Sequence, residues 1–160
     1  MFVGFGYDIH RLEPGRPMRL GGVDIPEALS GPVAHSDGDV LLHAICDALL
    51  GAAGLSDIGV HFPDTDAAYR GIDSLRLLER VVTLIAAEGL VPNNVDCTVV
   101  LELPKLSPYR EEMRNAIADV LGIESRRVAV KATTNEKLGS IGSGDGIAAY
   151  AVATLVNRKS

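Results

Sequence analysis

The stretch from Asp39 to Leu55, "DVLLHAICDALLGAAGL", decides the fold. It is an apolar helix whose polar side chains Asp39, His43 and Asp47 fall at i, i+4 and i+8, one stripe along one side. Ser36 is placed to cap it, with Asp39 three residues on as a box-like partner, so the helix is expected to start near Asp37 to Asp39. Gly51 and Gly54 weaken its end. Upstream, residues 2–9 and roughly 18–25 read as short strands around the breaker-rich "EPGRP" (13–17), and residues 26–39 read as a loop. Downstream, "SDIGVHFPDTDAAYRGID" (56–73) holds too many breakers and acids to be core.

A second helix follows in "SLRLLERVVTLIAAEGL" (74–90), with Leu75, Leu78, Val82 and Ile85 at helical spacing and Gly89 as its stop. "NVDCTVVLEL" (94–103) is a strand by its β-branched content. Ser107 and Pro108 suit the cap and first position of a third helix, "YREEMRNAIADVLG" (109–122), whose apolar face is Tyr109, Met113, Ile117 and Val120. "RVAVKATT" (127–134) and "GIAAYAVATLV" (146–156) are the last strands, separated by a Gly-rich loop. The expected fold is an α/β sandwich, a mixed β-sheet with helices on one face, as a single domain over residues 1–160.

The 160 residues suffice for one sizeable core, and 47% apolar against 22% charged residues is ordinary globular composition. A net charge of −6 argues against a nucleic-acid binder, and three Phe, four Tyr and no Trp give no base-stacking platform. No apolar run is long enough to span a bilayer, and no signal or transit peptide is visible, so a cytoplasmic location is expected. Cys46 and Cys97 read as buried thiols rather than a disulfide framework.

In "GFGYDIHRL" (4–12), Asp8 and His10 stand two apart on a strand and share a face. With His43 they make one carboxylate and two imidazoles, the donor set of a zinc site that keeps a fourth position open; Mn²⁺ or Co²⁺ fits the same donors. The alternatives are a local hydrogen bond on a surface strand and a satisfied core histidine. Asp57, Asp64 and Asp66 can orient polyol hydroxyls or make ordinary Asx turns. In "KATTNEKLG" (131–139), the hydroxyls of Thr133 and Thr134 with Glu136 suit a phosphate and a hard cation such as Mg²⁺, or a plain hydroxyl-capped turn. "SIGSGDG" (140–146) matches neither the P-loop nor the dinucleotide fingerprint.

Taken in order, "DIH", "AHSDGDVLLHAICDALLGAAGLSDIG", "FPDTD", "PKLSPY" and "KATTNEKLG" closely resemble the 2-C-methyl-D-erythritol 2,4-cyclodiphosphate synthase family, from about residue 3 to 155. The resemblance implies a divalent metal, usually zinc, on Asp8, His10 and His43. It implies a bacterial, cytoplasmic enzyme of the non-mevalonate isoprenoid route. The 2-phosphate of a cytidine diphosphate-linked methylerythritol attacks the β-phosphorus and CMP leaves. His35 and Thr134 would stabilise the transition state, and His35 and Ser36 would touch substrate. Asp57, Ile58 and Gly59, with Phe62, Pro63, Asp64, Thr65 and Asp66, would hold the methylerythritol. Leu101, Glu102, Leu103, Pro104, Lys105, Leu106 and Ser107, with Thr133, Thr134, Asn135 and Glu136, would carry cytidine and diphosphate, Glu136 on a Mg²⁺ or Mn²⁺. A homotrimer with sites between subunits is implied too. Ser140 and Ser143 depart from the pattern, where many members carry an aromatic and an Arg; the Arg holds an isoprenoid diphosphate at the trimer axis, so that use is not expected here. A nucleotide sensor without turnover and a metal-dependent phosphoesterase stand as rival readings.

Overall fold

The computed structural model describes residues 1–63 and 65–158. Its frame is a five-stranded sheet in the order β4-β1-β7-β5-β6, formed by β1 (Phe2–Pro14), β4 (Ser30–Pro32), β5 (Leu90–Val100), β6 (Val128–Thr133) and β7 (Gly146–Asn157). Only β5 and β6 run parallel; the other pairings are antiparallel, so the sheet is mixed as expected. A separate two-stranded ribbon joins β2 (Arg19–Leu20) to β3 (Val23–Asp24). The helices are α1 (Val40–Ala53), α2 (Ile58–His61), α3 (Ser74–Ala87), α4 (Arg110–Leu121) and α5 (Gly139–Gly142). Helix α1 lies on β1 and β7, α3 on β5 and α4 on β6, in one layer on one side of the sheet.

The alternation in β1 explains why one side is covered. Its even positions Gly4, Gly6, Asp8 and His10 face the helices, and its odd positions face outward. A Cβ at Gly4 would meet the Ala48 carbonyl at 2.0 Å, and one at Gly6 the Ala44 carbonyl at 1.9 Å. Helix and strand therefore touch backbone to backbone. Four helical residues rise about 6.0 Å and two strand residues about 6.8 Å, so the Gly pair and the Ala pair stay in step. One turn nearer its N-terminus, α1 reaches the level of Asp8.

Several boundaries differ from the sequence expectation. The first strand runs on to Pro14, because Leu12 to Pro14 pair with β4, a segment expected to be loop. The strand expected over 18–25 is folded into the β2–β3 hairpin, since Gly21 and Gly22 take φ of +57° and +78° and form its two-residue turn. Ser36 does not cap α1. Gly38 turns the chain at φ +75°, and Asp39 becomes the cap, accepting from the Leu42 amide. Ser107 does not cap α4 either; it opens a 3₁₀ turn, Ser107–Tyr109, that leads into the helix. The buried face of α3 is Ser74, Leu77, Leu78, Val81 and Ile85, displaced from the expected stripe because both α1 and α4 flank it.

Cross-strand register places Ile9, Ala148, Val100 and Thr133 in one row across β1, β7, β5 and β6. The Asp8–His10 segment and the carboxyl ends of the two parallel strands thus open at the same end of the sheet.

Candidate active site

Asp8, His10 and His43 converge. Asp8 Oδ2 lies 3.0 Å from His10 Nε2 and 3.0 Å from His43 Nδ1, and the two ring nitrogens are 3.3 Å apart. Ligands held about 2.0 Å from a tetrahedral ion sit about 3.3 Å from one another, so the triangle has the edges such an ion requires. No other such cluster of His, Cys, Asp and Glu occurs among the described residues. Burial raises the Asp8 carboxyl, but hydrogen bonds and charge from His10 and His43 outweigh it and hold it at about 2. Burial lowers the His43 imidazole, and the Asp8 hydrogen bond and charge, helped by Asp39 and Asp37, more than reverse this. The donors are thus a firmly ionised carboxylate and a ring that attracts positive charge.

The local sequence builds this triangle from both sides. Gly4 and Gly6 bring the helix down onto β1. At the other end, the Asp39 carboxylate accepts from the Gly21 and Gly22 amides at 2.9 and 2.8 Å while capping α1, which ties the β2–β3 turn to the helix start. Asp39 is fully buried, and burial pushes its carboxyl up to about 6 against the pull of those amides. Asp47, the third member of the stripe, is half-buried and accepts from the Ile58 amide at 2.8 Å, anchoring α2. Burial raises its carboxyl as well.

A cleft of about 490 Å³ opens over the triangle, lined further by His35, Ser36, Ile58, Gly59, Phe62 and Pro63. The sequence reading did not single out Ala34, Tyr69, Ile72 and Leu77, which complete its apolar wall. Asp57 and Asp66 do not line it; their carboxylates cap short helical turns through the amides of Val60 and Ala68. The Asx-turn alternative is what these two residues realise. Thr65 is exposed and outside the cleft, and Asp64 lies outside the described residues.

A second cleft, of about 190 Å³, sits at the carboxyl ends of β5 and β6. Leu101, Glu102, Pro104, Lys105, Leu106, Ser107, Thr133 and Thr134 line it, together with Ala132 and Arg110. Leu103 points instead to a neighbouring hollow with Leu29 and Lys137. Asn135 donates its amide to Glu102 Oε1 at 2.7 Å, holding the loop after β6 against the loop after β5. Glu136 is exposed at φ +51° and donates its amide to Thr134 Oγ1. No residue lines both clefts. Three strand spacings of about 4.8 Å separate β1 from β6, placing the two sets roughly 14 Å apart across the sheet.

Comparison with known proteins gives this arrangement its context. The YgbB family model matches residues 1–156. This chain belongs to the YgbB family. A curated member, the 2-C-methyl-D-erythritol 2,4-cyclodiphosphate synthase of Symbiobacterium thermophilum, is 61% identical over 158 residues, 99% of this chain and all of the relative. Among solved structures, the bifunctional IspDF of Campylobacter jejuni superposes with a TM-score of 0.93 at 42% identity; it covers 98% of this chain, which spans 42% of that longer protein. A CDP-bound 2C-methyl-D-erythritol-2,4-cyclodiphosphate synthase superposes at 0.89 with 38% identity, covering 96% of this chain and 99% of its own.

Set within the YgbB family, the site has two supports that the sequence reading passed over. Ser74 Oγ lies 3.0 Å from His43 Nε2, and Asp37 Oδ1 accepts from Ser74 Oγ at 2.5 Å. Asp37 stands within the expected helix start, where sequence alone gives it no further role. Ser74 looks like an ordinary first-turn serine, and only its complete burial marks it. Of the remaining histidines, His61 is occupied by the Leu55 carbonyl at 2.6 Å and His35 stands in the cleft with only a 3.4 Å contact to the Asp66 carbonyl. No helix among the described residues is long and apolar enough to cross a membrane.

Proposed function

We propose that this chain is a 2-C-methyl-D-erythritol 2,4-cyclodiphosphate synthase, a phosphorus–oxygen lyase of the non-mevalonate isoprenoid route. It converts 4-diphosphocytidyl-2-C-methyl-D-erythritol 2-phosphate to the cyclic diphosphate and CMP. The observation that carries this reading is the convergence of Asp8, His10 and His43 under an open cleft, in a chain 61% identical to a synthase of that name. An oxygen of the 2-phosphate bonds to the β-phosphorus, and the bond from that phosphorus to the CMP oxygen breaks, CMP keeping the electron pair. The attacking oxygen is already ionised near neutral pH, so no side chain has to act as its base.

The protein's task is to hold two anions together. Bound divalent ions, zinc or Mn²⁺ or Co²⁺ at the triad and Mg²⁺ or Mn²⁺ beside Glu136, would supply charge neutralisation and polarise phosphoryl oxygens. His35, which lines the first cleft with only a long contact to the Asp66 carbonyl, and Thr134, which lines the second, are assigned as donors to the phosphoryl oxygens. Ser36, Ile58, Gly59, Phe62 and Pro63 would enclose the methylerythritol; Asp57 and Asp66 contribute by fixing the backbone of that wall. Leu101 to Ser107, with Thr133 and Asn135, would take the cytidine and its diphosphate, Lys105 supplying a cation.

A homotrimer with sites between subunits is part of the proposal. The two residue sets line separate clefts in one chain, and the outer face of the sheet exposes Val3, Phe5, Tyr7, Ile9, Tyr150 and Val152. An exposed apolar area of that kind supports a subunit contact over this face. The bacterial relatives support a cytoplasmic enzyme.

The test is product identity. Incubation with the cytidine-linked 2-phosphate, followed by phosphorus NMR, is expected to give CMP and a cyclic diphosphate. Linear phosphates would make it a hydrolase, and tight nucleotide binding without turnover a sensor.

A further inference from the structure

We infer that Asp37 and Ser74 are positioning residues that set the tautomer of His43 and so prepare its Nδ1 for a metal ion. The inference rests on the metal site proposed above and concerns the side of the ring that faces away from it.

On the side of the ring away from Asp8, the Ser74 hydrogen bonds favour one proton arrangement. Asp37 accepts twice from Ser74: its Oδ2 takes the backbone amide at 2.9 Å and its Oδ1 takes the hydroxyl at 2.5 Å. Ser74 has a single hydroxyl proton, and that bond commits it to the carboxylate. Its oxygen can then only accept from the imidazole, so His43 carries its proton on Nε2, 3.0 Å away. Nδ1 points at Asp8 Oδ2 and His10 Nε2: the ionised Asp8 holds a proton there until a metal displaces it, and the metal then takes the Nδ1 lone pair. Ser36 Oγ, 3.2 Å from the same Nε2 and accepting from the Gly38 amide, offers that proton a second acceptor. Metal-bound histidines are commonly fixed in this manner by a carboxylate or its relay on the far ring nitrogen.

The relay also joins distant parts of the chain. Ser74 is the first residue of α3 and fully buried, and Asp37 sits in the loop before α1. Arg19, on β2, flanks it with Nε 3.9 Å from Asp37 Oδ2. The ring orientation is thus set by three segments, none of which donates a ligand.

Two variants and the native ring test this. Ser74→Ala keeps the amide bond to Asp37, and therefore the helix start, but removes the acceptor. Zinc affinity, measured by competition with a chromophoric chelator, is expected to fall about 10- to 100-fold. Asp37→Asn places an amide donor against Ser74 Oγ, freeing the hydroxyl to donate to Nε2. Nitrogen-resolved NMR of the metal-free protein is then expected to show His43 losing the Nε2 proton that the native ring retains. A purely structural role would lower the melting temperature without moving the ring signals. A native His43 ring that carries no proton on Nε2 overturns the inference without any variant, as does a folded Ser74→Ala protein with native zinc affinity. If the native protein binds no divalent ion, the metal-site reading fails, while the ring signals still decide the relay.

Discussion

Gly6 of β1 and Ala44 of α1 meet backbone to backbone: a Cβ on Gly6 would stand 1.9 Å from the Ala44 carbonyl oxygen and 2.8 Å from the Ala48 amide nitrogen. Neither of those atoms belongs to a flexible side chain, so nothing can swing aside. The contact lies two strand residues from Asp8 and one helical residue from His43. It sets the distance between strand and helix on which the ligand triangle depends.

Gly6→Ala is therefore expected to lift α1 from β1. Overpacking of this kind typically costs about 1–3 kcal/mol, and a clash with fixed backbone belongs at the upper end. Chemical denaturation reads the stability loss, and a zinc titration reads a weakened site. Full metal affinity in a destabilised but folded variant would uncouple the close contact from the site.

Asp39 gives a pH signature. Its folded carboxyl is raised to about 6 from an ordinary 3.8, so the native state favours the protonated form. The stability this group contributes is fully present below about 3.8 and is lost as pH rises through about 6, an effect of up to about 3 kcal/mol. Asp8 acts in the opposite sense but lower down, its contribution being lost as pH falls from about 3.8 toward 2. Denaturation of the metal-free protein across the Asp39 window, from about 3.8 to about 6, is expected to show stability declining as pH rises. In Asp39→Asn that decline should flatten. An unchanged slope would assign it to another group.

Much of this could be read in the sequence, for identifiable reasons. Element types followed from periodicity and β-branched content, which depend on each segment alone. The triad was legible because Asp8 and His10 share a strand face and His43 interrupts an apolar helix. Their meeting was not, since it depends on Gly4 and Gly6 admitting the helix backbone, a property of two segments together. Ser36 was misread as a cap because capping chemistry at Ser36 and Asp39 looks the same in a string, and Gly38 at positive φ decides between them. Ser74 and Asp37 were out of reach for the same reason: each is locally ordinary, and only the tertiary fold places them behind His43.

Metal retention should follow His43 rather than Asp8 on acidification. A proton and a metal compete for His43 Nδ1, and the raised pKa of that ring gives the proton an advantage from above the usual imidazole range downward. Each pH unit below that pKa costs about tenfold in affinity per proton displaced. Asp8, held at about 2, stays a carboxylate throughout and adds nothing to that slope. Zinc affinity measured across neutral to mildly acid pH is expected to fall with a slope of at least one proton. A pH-independent affinity would remove His43 from the ligand set.

Subunit mixing tests whether one site draws on two chains. His43→Ala disables the first cleft, and Thr134→Ala removes a hydroxyl from the second, where loss of one such donor costs about 100-fold in rate or more. Each variant alone is expected to be nearly inactive. In a ring whose sites lie between neighbours, a mixed trimer contains sites that pair an intact His43 from one chain with an intact Thr134 from the next. Random mixing of equal amounts yields such a pairing at about a quarter of sites, because each half is intact with even odds. Co-refolding the two variants should therefore restore about a quarter of native activity. If the two clefts served one site within a single chain, every site would carry one lesion and mixing would restore nothing. The separation of the clefts across three strands favours the first outcome, since a substrate reaching both within one chain would have to cross β7 and β5.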